Sequence, residues 1–119
     1  MSILDLTGRL DDILAAIREI ETFAAGKTFD DYIAEPMLRR AVERDVEIIS
    51  EASHHIPERL KAKYSSIPWR EVAGVGNILR HGYKLIDDRE IWDIVTSDLA
   101  PLKVTTETML REVEPGSDE

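Results

Sequence analysis

Ile3, Leu6, Leu10, Ile13, Leu14, Ile17, Ile20 and Phe23 recur at steps of three and four, the spacing that lines one face of an α-helix. This stripe predicts a first helix of about six turns. Gly26 is placed to end it, since glycine takes the left-handed conformation favoured at helix C-termini. Thr28 followed by Asp31 reads as an N-cap opening a short helix through Ile33, and Pro36 then begins a longer one carrying Leu38, Val42, Val46, Ile48 and Ile49. Pro57 and Tyr64-Ser65-Ser66 punctuate the chain. Ser66-Ile67-Pro68 predicts a cap with proline near the first turn of a further helix. Gly82 and Asp87-Asp88 separate that helix from a last one carrying Ile91, Trp92, Ile94, Val95, Leu99, Leu102, Val104, Met109 and Leu110. Pro101 is expected to kink or restart it, because proline removes one bond of the ladder. No strand-like alternation and no internal repeat occurs. The pattern predicts an all-α bundle of four or five helices, one domain over residues 1–113, followed by an acidic tail at 114–119 expected to be disordered.

Composition narrows the chemistry. The 119 residues contain no cysteine, which excludes a disulfide framework and a thiolate metal site. The N-terminus has early acids rather than a basic leader and apolar run, so a signal peptide is not expected, and no apolar run approaches the ~20 residues a membrane span needs. A cytoplasmic protein without a membrane partner is the expectation. The net charge of -9 argues against broad non-specific nucleic-acid binding. Yet the stretch Arg59–Lys84 carries six bases against the single acid Glu71. An acidic body with one basic segment suits a local anionic ligand; a solvated helix face balancing acids elsewhere is the plainer alternative.

That basic segment holds the chain's densest candidate chemistry, Gly74-Val75-Gly76-Asn77-Ile78-Leu79-Arg80-His81-Gly82-Tyr83. Asn77 and His81 are four apart and share a helix face; Arg80 and Tyr83 are three apart. An arginine beside an imidazole can hold a phosphate and move a proton at neutral pH. Read without further context, such a cluster is more often a hydrogen-bonded surface group, and Tyr83 a packing residue with a wet hydroxyl. His54-His55 with Glu51 and Glu58 offers a weaker metal-binding alternative, lacking any three-ligand motif. Gly74 and Gly76 lack the lysine and preceding strand of a phosphate loop and are expected to admit a close helix neighbour. Trp69 and Trp92 are expected to anchor the core or an interface.

The ordered set Phe23-Ala24-Ala25-Gly26-Lys27-Thr28-Phe29-Asp30-Asp31-Tyr32, Ile67-Pro68-Trp69-Arg70, the polar cluster, Ile91-Trp92-Asp93-Ile94-Val95 and Asp98-Leu99-Ala100-Pro101-Leu102-Lys103 resembles the HepT toxin family of the HEPN superfamily, from about Leu4 to Arg111. The resemblance implies a helical bundle forming a two-fold homodimer, an RNA substrate, metal-independent cleavage with no cofactor, and a minimal nucleotidyltransferase antitoxin as partner. His81 and Tyr83 match the family's histidine and tyrosine, and the tyrosine is the AMP acceptor in related members. The family's arginine, five residues before the histidine, is replaced by Gly76. Positions 76 and 80 lie one turn apart on one face, and long side chains lean toward the helix N-terminus, so Arg80 is expected to reach the space Gly76 leaves. On this reading Arg80 binds the scissile phosphate, His81 acts as general acid or base and Asn77 orients His81 or contacts phosphate. Attack by a ribose 2′-hydroxyl would cut RNA and spare DNA. The alternative is a catalytically impaired HEPN module that binds the nucleotidyltransferase or a nucleotide.

Overall fold

The computed structural model describes residues 2–81 and 87–113, apart from the His81 side chain; Met1, residues 82–86 and residues 114–119 lie outside the described part. Every regular element within it is helical: α1 (Ile3–Ala24), α2 (Phe29–Ala34), α3 (Pro36–His54), α4 (Glu58–Lys63), α5 (Trp69–His81), α6 (Asp88–Asp93), a π-helical turn (Ile94–Asp98) and α7 (Leu99–Val113). None of these helices is long and apolar enough to cross a membrane.

Local chemistry sets most boundaries. The Ser2 hydroxyl accepts from the Asp5 N–H at 3.1 Å and caps α1, while Gly26, at φ 72°, turns the chain after its last residue. α2 opens with a full capping box. Its Thr28 hydroxyl accepts from the Asp31 N–H at 3.1 Å, and the Asp31 carboxylate accepts from the Thr28 N–H at 2.9 Å. Pro36 starts α3 where its missing N–H costs nothing. Pro68 stands one position outside α5 rather than within its first turn, its carbonyl accepting the Val72 N–H at 3.0 Å. Asp87 caps α6 through the N–H groups of Arg89 and Glu90.

The expected break at Pro101 takes another form. α7 runs through Pro101, which occupies its first turn, where a missing N–H is tolerated. The irregularity sits just upstream, as the π-helical turn in which the Leu99 N–H reaches back to the Ile94 carbonyl.

Packing order decides what each helix buries. α1 lies between α7 and α3, and α3 between α1 and α5. α3 accordingly buries residues on both flanks, Val42, Val46 and Ile49 together with Ser50, Ala52 and Ser53. Leu10, Ile13, Ile17 and Ile20 of α1 are wholly buried beside Tyr32, Val42 and Met109. Each such aliphatic side chain contributes about 1.5–3 kcal/mol on burial. Both tryptophans join the core, Trp69 donating its indole N–H to the Tyr64 carbonyl at 3.0 Å. Trp92 stacks on Tyr32 with ring centroids 5.1 Å apart. Arg89 lies 4.7 Å over the Phe29 ring, so α6 is held against α2 by two aromatic contacts.

Candidate active site

α5 packs principally on α3. Its inner face is Trp69, Val72, Val75, Gly76 and Leu79; Arg70, Gly74, Asn77 and Ile78 are exposed. The helix is pinned to α3 by polar contacts as well as apolar ones. The Ser50 hydroxyl donates to the Ala73 carbonyl at 2.7 Å and accepts from the Gly76 N–H at 3.0 Å. His54 Nε2 lies 3.1 Å from the same Ala73 carbonyl. A carbonyl only accepts, so this nitrogen carries its proton. Of the histidine and glutamate group considered for a metal, His54 is thus engaged on backbone.

Gly76 is buried and meets α3 without a side chain between. A Cβ at 76 would stand 2.7 Å from the Ser50 Cβ and 3.3 Å from the Arg80 Nη1. The close helix neighbour expected at the glycine pair is therefore α3, and only Gly76 needs it: a Cβ at Gly74 would meet open space. Arg80 follows its expected course, leaning back one turn over the gap that Gly76 leaves.

Arg80 also lines a depression of about 330 Å³ between α1, α3 and α5. Arg9 and Asp12 border it from α1, Arg44, Glu47 and Glu51 from α3, and Ile48 and Ala52 supply apolar surface. Arg44 is held by Glu47 at 3.1 Å. Among the described residues neither Arg80 nor Arg9 forms an ion pair, and both arginines line this depression.

The predicted site residues are thus placed unevenly. Arg80 and Asn77 lie in the last two turns of α5, Asn77 exposed. His81 ends that helix, with its side chain outside the described residues, and Tyr83 lies outside them altogether. Sequence reasoning missed Ser50, Arg9 and Arg44, which come from other helices. A serine inside an apolar helical stripe is the one local signal that could have marked Ser50.

Comparison with known proteins agrees with the fold. Residues 13–109 match the model of the HepT-like family, described as ribonuclease HepT-like. The chain is 36% identical over 107 residues to a candidate RNase of Methanocaldococcus jannaschii, covering 90% of this chain and 98% of that protein. It is 40% identical over 94 residues to a probable ribonuclease HepT of Thermococcus cleftensis, covering 79% and 86%. A candidate RNase of Caldanaerobacter subterraneus subsp. tengcongensis is 31% identical over 103 residues, covering 87% and 92%. No solved structure matches the chain. With the family model spanning most of its length and relatives aligned nearly end to end, this all-helical chain belongs to the HepT-like ribonuclease family.

Proposed function

We propose that this chain is the toxin subunit of a HepT-type toxin–antitoxin pair, a homodimeric, metal-independent endoribonuclease that uses Arg80 in place of an arginine at position 76. Relatives named as ribonucleases support the reaction class. One geometric observation carries the residue assignment: the Arg80 guanidinium reaches the space beside Gly76. From there it would hold the scissile phosphate by paired, charge-assisted hydrogen bonds and stabilise the negative charge that grows on it.

His81, the next residue, takes the 2′-hydroxyl proton or protonates the leaving oxygen, and the second protomer's copy supplies the complementary role. The products would be a 2′,3′-cyclic phosphate and a free 5′-hydroxyl: the 2′ oxygen bonds to phosphorus as the 5′ oxygen leaves with a proton. Asn77, one turn below His81, orients it. Tyr83 accepts AMP from a nucleotidyltransferase antitoxin, which silences the subunit.

A second reading has its own support. The carboxylates of Asp12, Glu47 and Glu51 share the depression with Arg80, and Ser50 fills the room where the family arginine would begin. Such a chain would serve as a binding subunit for its nucleotidyltransferase rather than as a nuclease.

The deciding experiment is cleavage of a mixed RNA substrate in EDTA by the wild type, Arg80→Ala and His81→Ala, on protein verified by mass to carry no AMP. Cutting by the wild type that both variants lose supports the nuclease. No cutting by the unmodified wild type leaves the binding subunit, and cutting that survives His81→Ala rules out this mechanism.

A further inference from the structure

α5 packs on α3, and among the described residues it makes no comparable contact with α7 or with the π-helical turn before it. The gap this leaves is a cavity of about 260 Å³ over Val46 and Ile49 of α3, walled by Val75 on one side and Ile94 on the other. Glu71 of α5 and Asp98 of the π-helical turn also line it, and both are exposed, so they stand at its mouth.

Size and charge together define what fits. An apolar cavity of ~150 Å³ takes up benzene, so this one holds a group as large as an indole. It is smaller than the ~300–1,000 Å³ of sites that enclose a whole small molecule. That size selects one bulky side chain of a larger partner, the way an aromatic anchor fills a pocket at an interface. Among the described residues neither Glu71 nor Asp98 forms an ion pair. Two carboxylates at one opening repel each other and select a cation. The π-helical turn is a third observation, since such turns recur at functional sites. Here it brings Ile94 to the wall and Asp98 to the mouth.

We propose that the cleft between α5 and the π-helical turn docks a protein partner that inserts one aromatic side chain flanked by lysine or arginine. The anchor supplies the buried apolar contact, and the flanking cation supplies specificity, because an acidic neighbour would meet two like charges. No lining residue is shared with the depression around Arg80, so the inference is independent of the nuclease reading.

The test titrates capped Lys-Trp-Lys, Glu-Trp-Glu and Lys-Ala-Lys peptides into the full chain carrying ¹³C-labelled valine and isoleucine methyl groups. Lys-Trp-Lys should shift the methyls of Val46, Val75 and Ile94 saturably, with a Kd on the order of 1 mM. The other two peptides should bind about tenfold more weakly or less. Glu71→Gln/Asp98→Asn changes only exposed side chains and should weaken Lys-Trp-Lys binding by about fivefold. Val75→Phe fills the cavity and should abolish binding; should it fail to fold, the double variant at the mouth decides. The absence of a saturable shift at roughly ten times the expected Kd overturns the proposal. So does equal binding of Glu-Trp-Glu, or undiminished binding by the double variant. Tryptamine binding as tightly as Lys-Trp-Lys would assign the cavity to a small amine and overturn a protein partner.

Discussion

The Ser50 hydroxyl stands where a side chain at position 76 would begin, bonded to the Gly76 N–H at 3.0 Å and to the Ala73 carbonyl at 2.7 Å. The two residues are complementary: the missing side chain on α5 admits the serine on α3, and the serine forbids a replacement. Gly76→Ala would ordinarily gain about 1 kcal/mol of helix propensity. Here overpacking of about 1–3 kcal/mol opposes it, so the variant should be no more stable than the wild type. Chemical denaturation would show this, with Ser50→Gly/Gly76→Ala recovering stability relative to Gly76→Ala alone.

The same complementarity governs any attempt to restore the family arginine. Gly76→Arg alone should lower the melting temperature and disturb Arg80, whose Nη1 lies 3.3 Å from the new Cβ. Paired with Ser50→Gly it should fold, and RNA cleavage by the double variant should equal or exceed the wild type. Lower activity in the well-folded double variant would mean that Arg80 needs the space for itself.

Lysine at position 80 would keep the charge and lose the planar fork. Arg80→Lys should hold RNA at low salt but cleave about 10²-fold more slowly, within the range seen when a transition-state donor is removed. Single-turnover rates measured beside binding of a 2′-deoxy analogue separate the two effects. Equal rates for lysine and arginine would reduce the role of Arg80 to simple charge.

Tyr32 is fully buried and stacks on Trp92, yet its hydroxyl has no hydrogen-bond partner among the described residues. Burial, reinforced by Glu43 and Asp88, holds its pKa well above the ordinary phenol value. Tyr32→Phe keeps the ring and removes the unpaired group, so it should be neutral or stabilising by about 1 kcal/mol. Tyr32→Ala should cost about 3 kcal/mol or more. Urea midpoints of the two variants check both statements.

Thr28→Ala should cost about 1 kcal/mol by opening the capping box of α2. The backbone and side-chain bonds of Thr28 hold the Asp31 carboxyl below its ordinary value, 3.8. Its share of the cap is present above that value and is lost as pH falls through the lower, folded one. The stability difference between Thr28→Ala and the wild type should therefore narrow at strongly acid pH.

Helix positions were legible wherever a signal was local. Thr28 and Asp31 announce α2, Pro36 announces α3, and Asp87 announces α6, because caps act over three or four residues. Pro101 misled for the same reason. Sequence alone placed the disruption at the proline, whereas the chain absorbed it one turn earlier in the π-helical segment Ile94–Asp98, keeping Leu99 and Leu102 buried. The glycine pair was half read: the neighbour exists at Gly76 and is absent at Gly74.

The sequence by itself determined the helical class, the order of the elements and the likeness to the HepT-like family, since periodicity, caps and motif spacing are properties of neighbouring residues. It also indicated that Arg80 could reach toward position 76, because one helical turn is a local distance. Tertiary structure alone decided that Ser50 closes position 76 and that Arg9 and Arg44 join Arg80 around one depression. Those pairs lie 26 or more residues apart in the chain, and they meet only because burying the apolar stripes fixes how the helices rotate against one another.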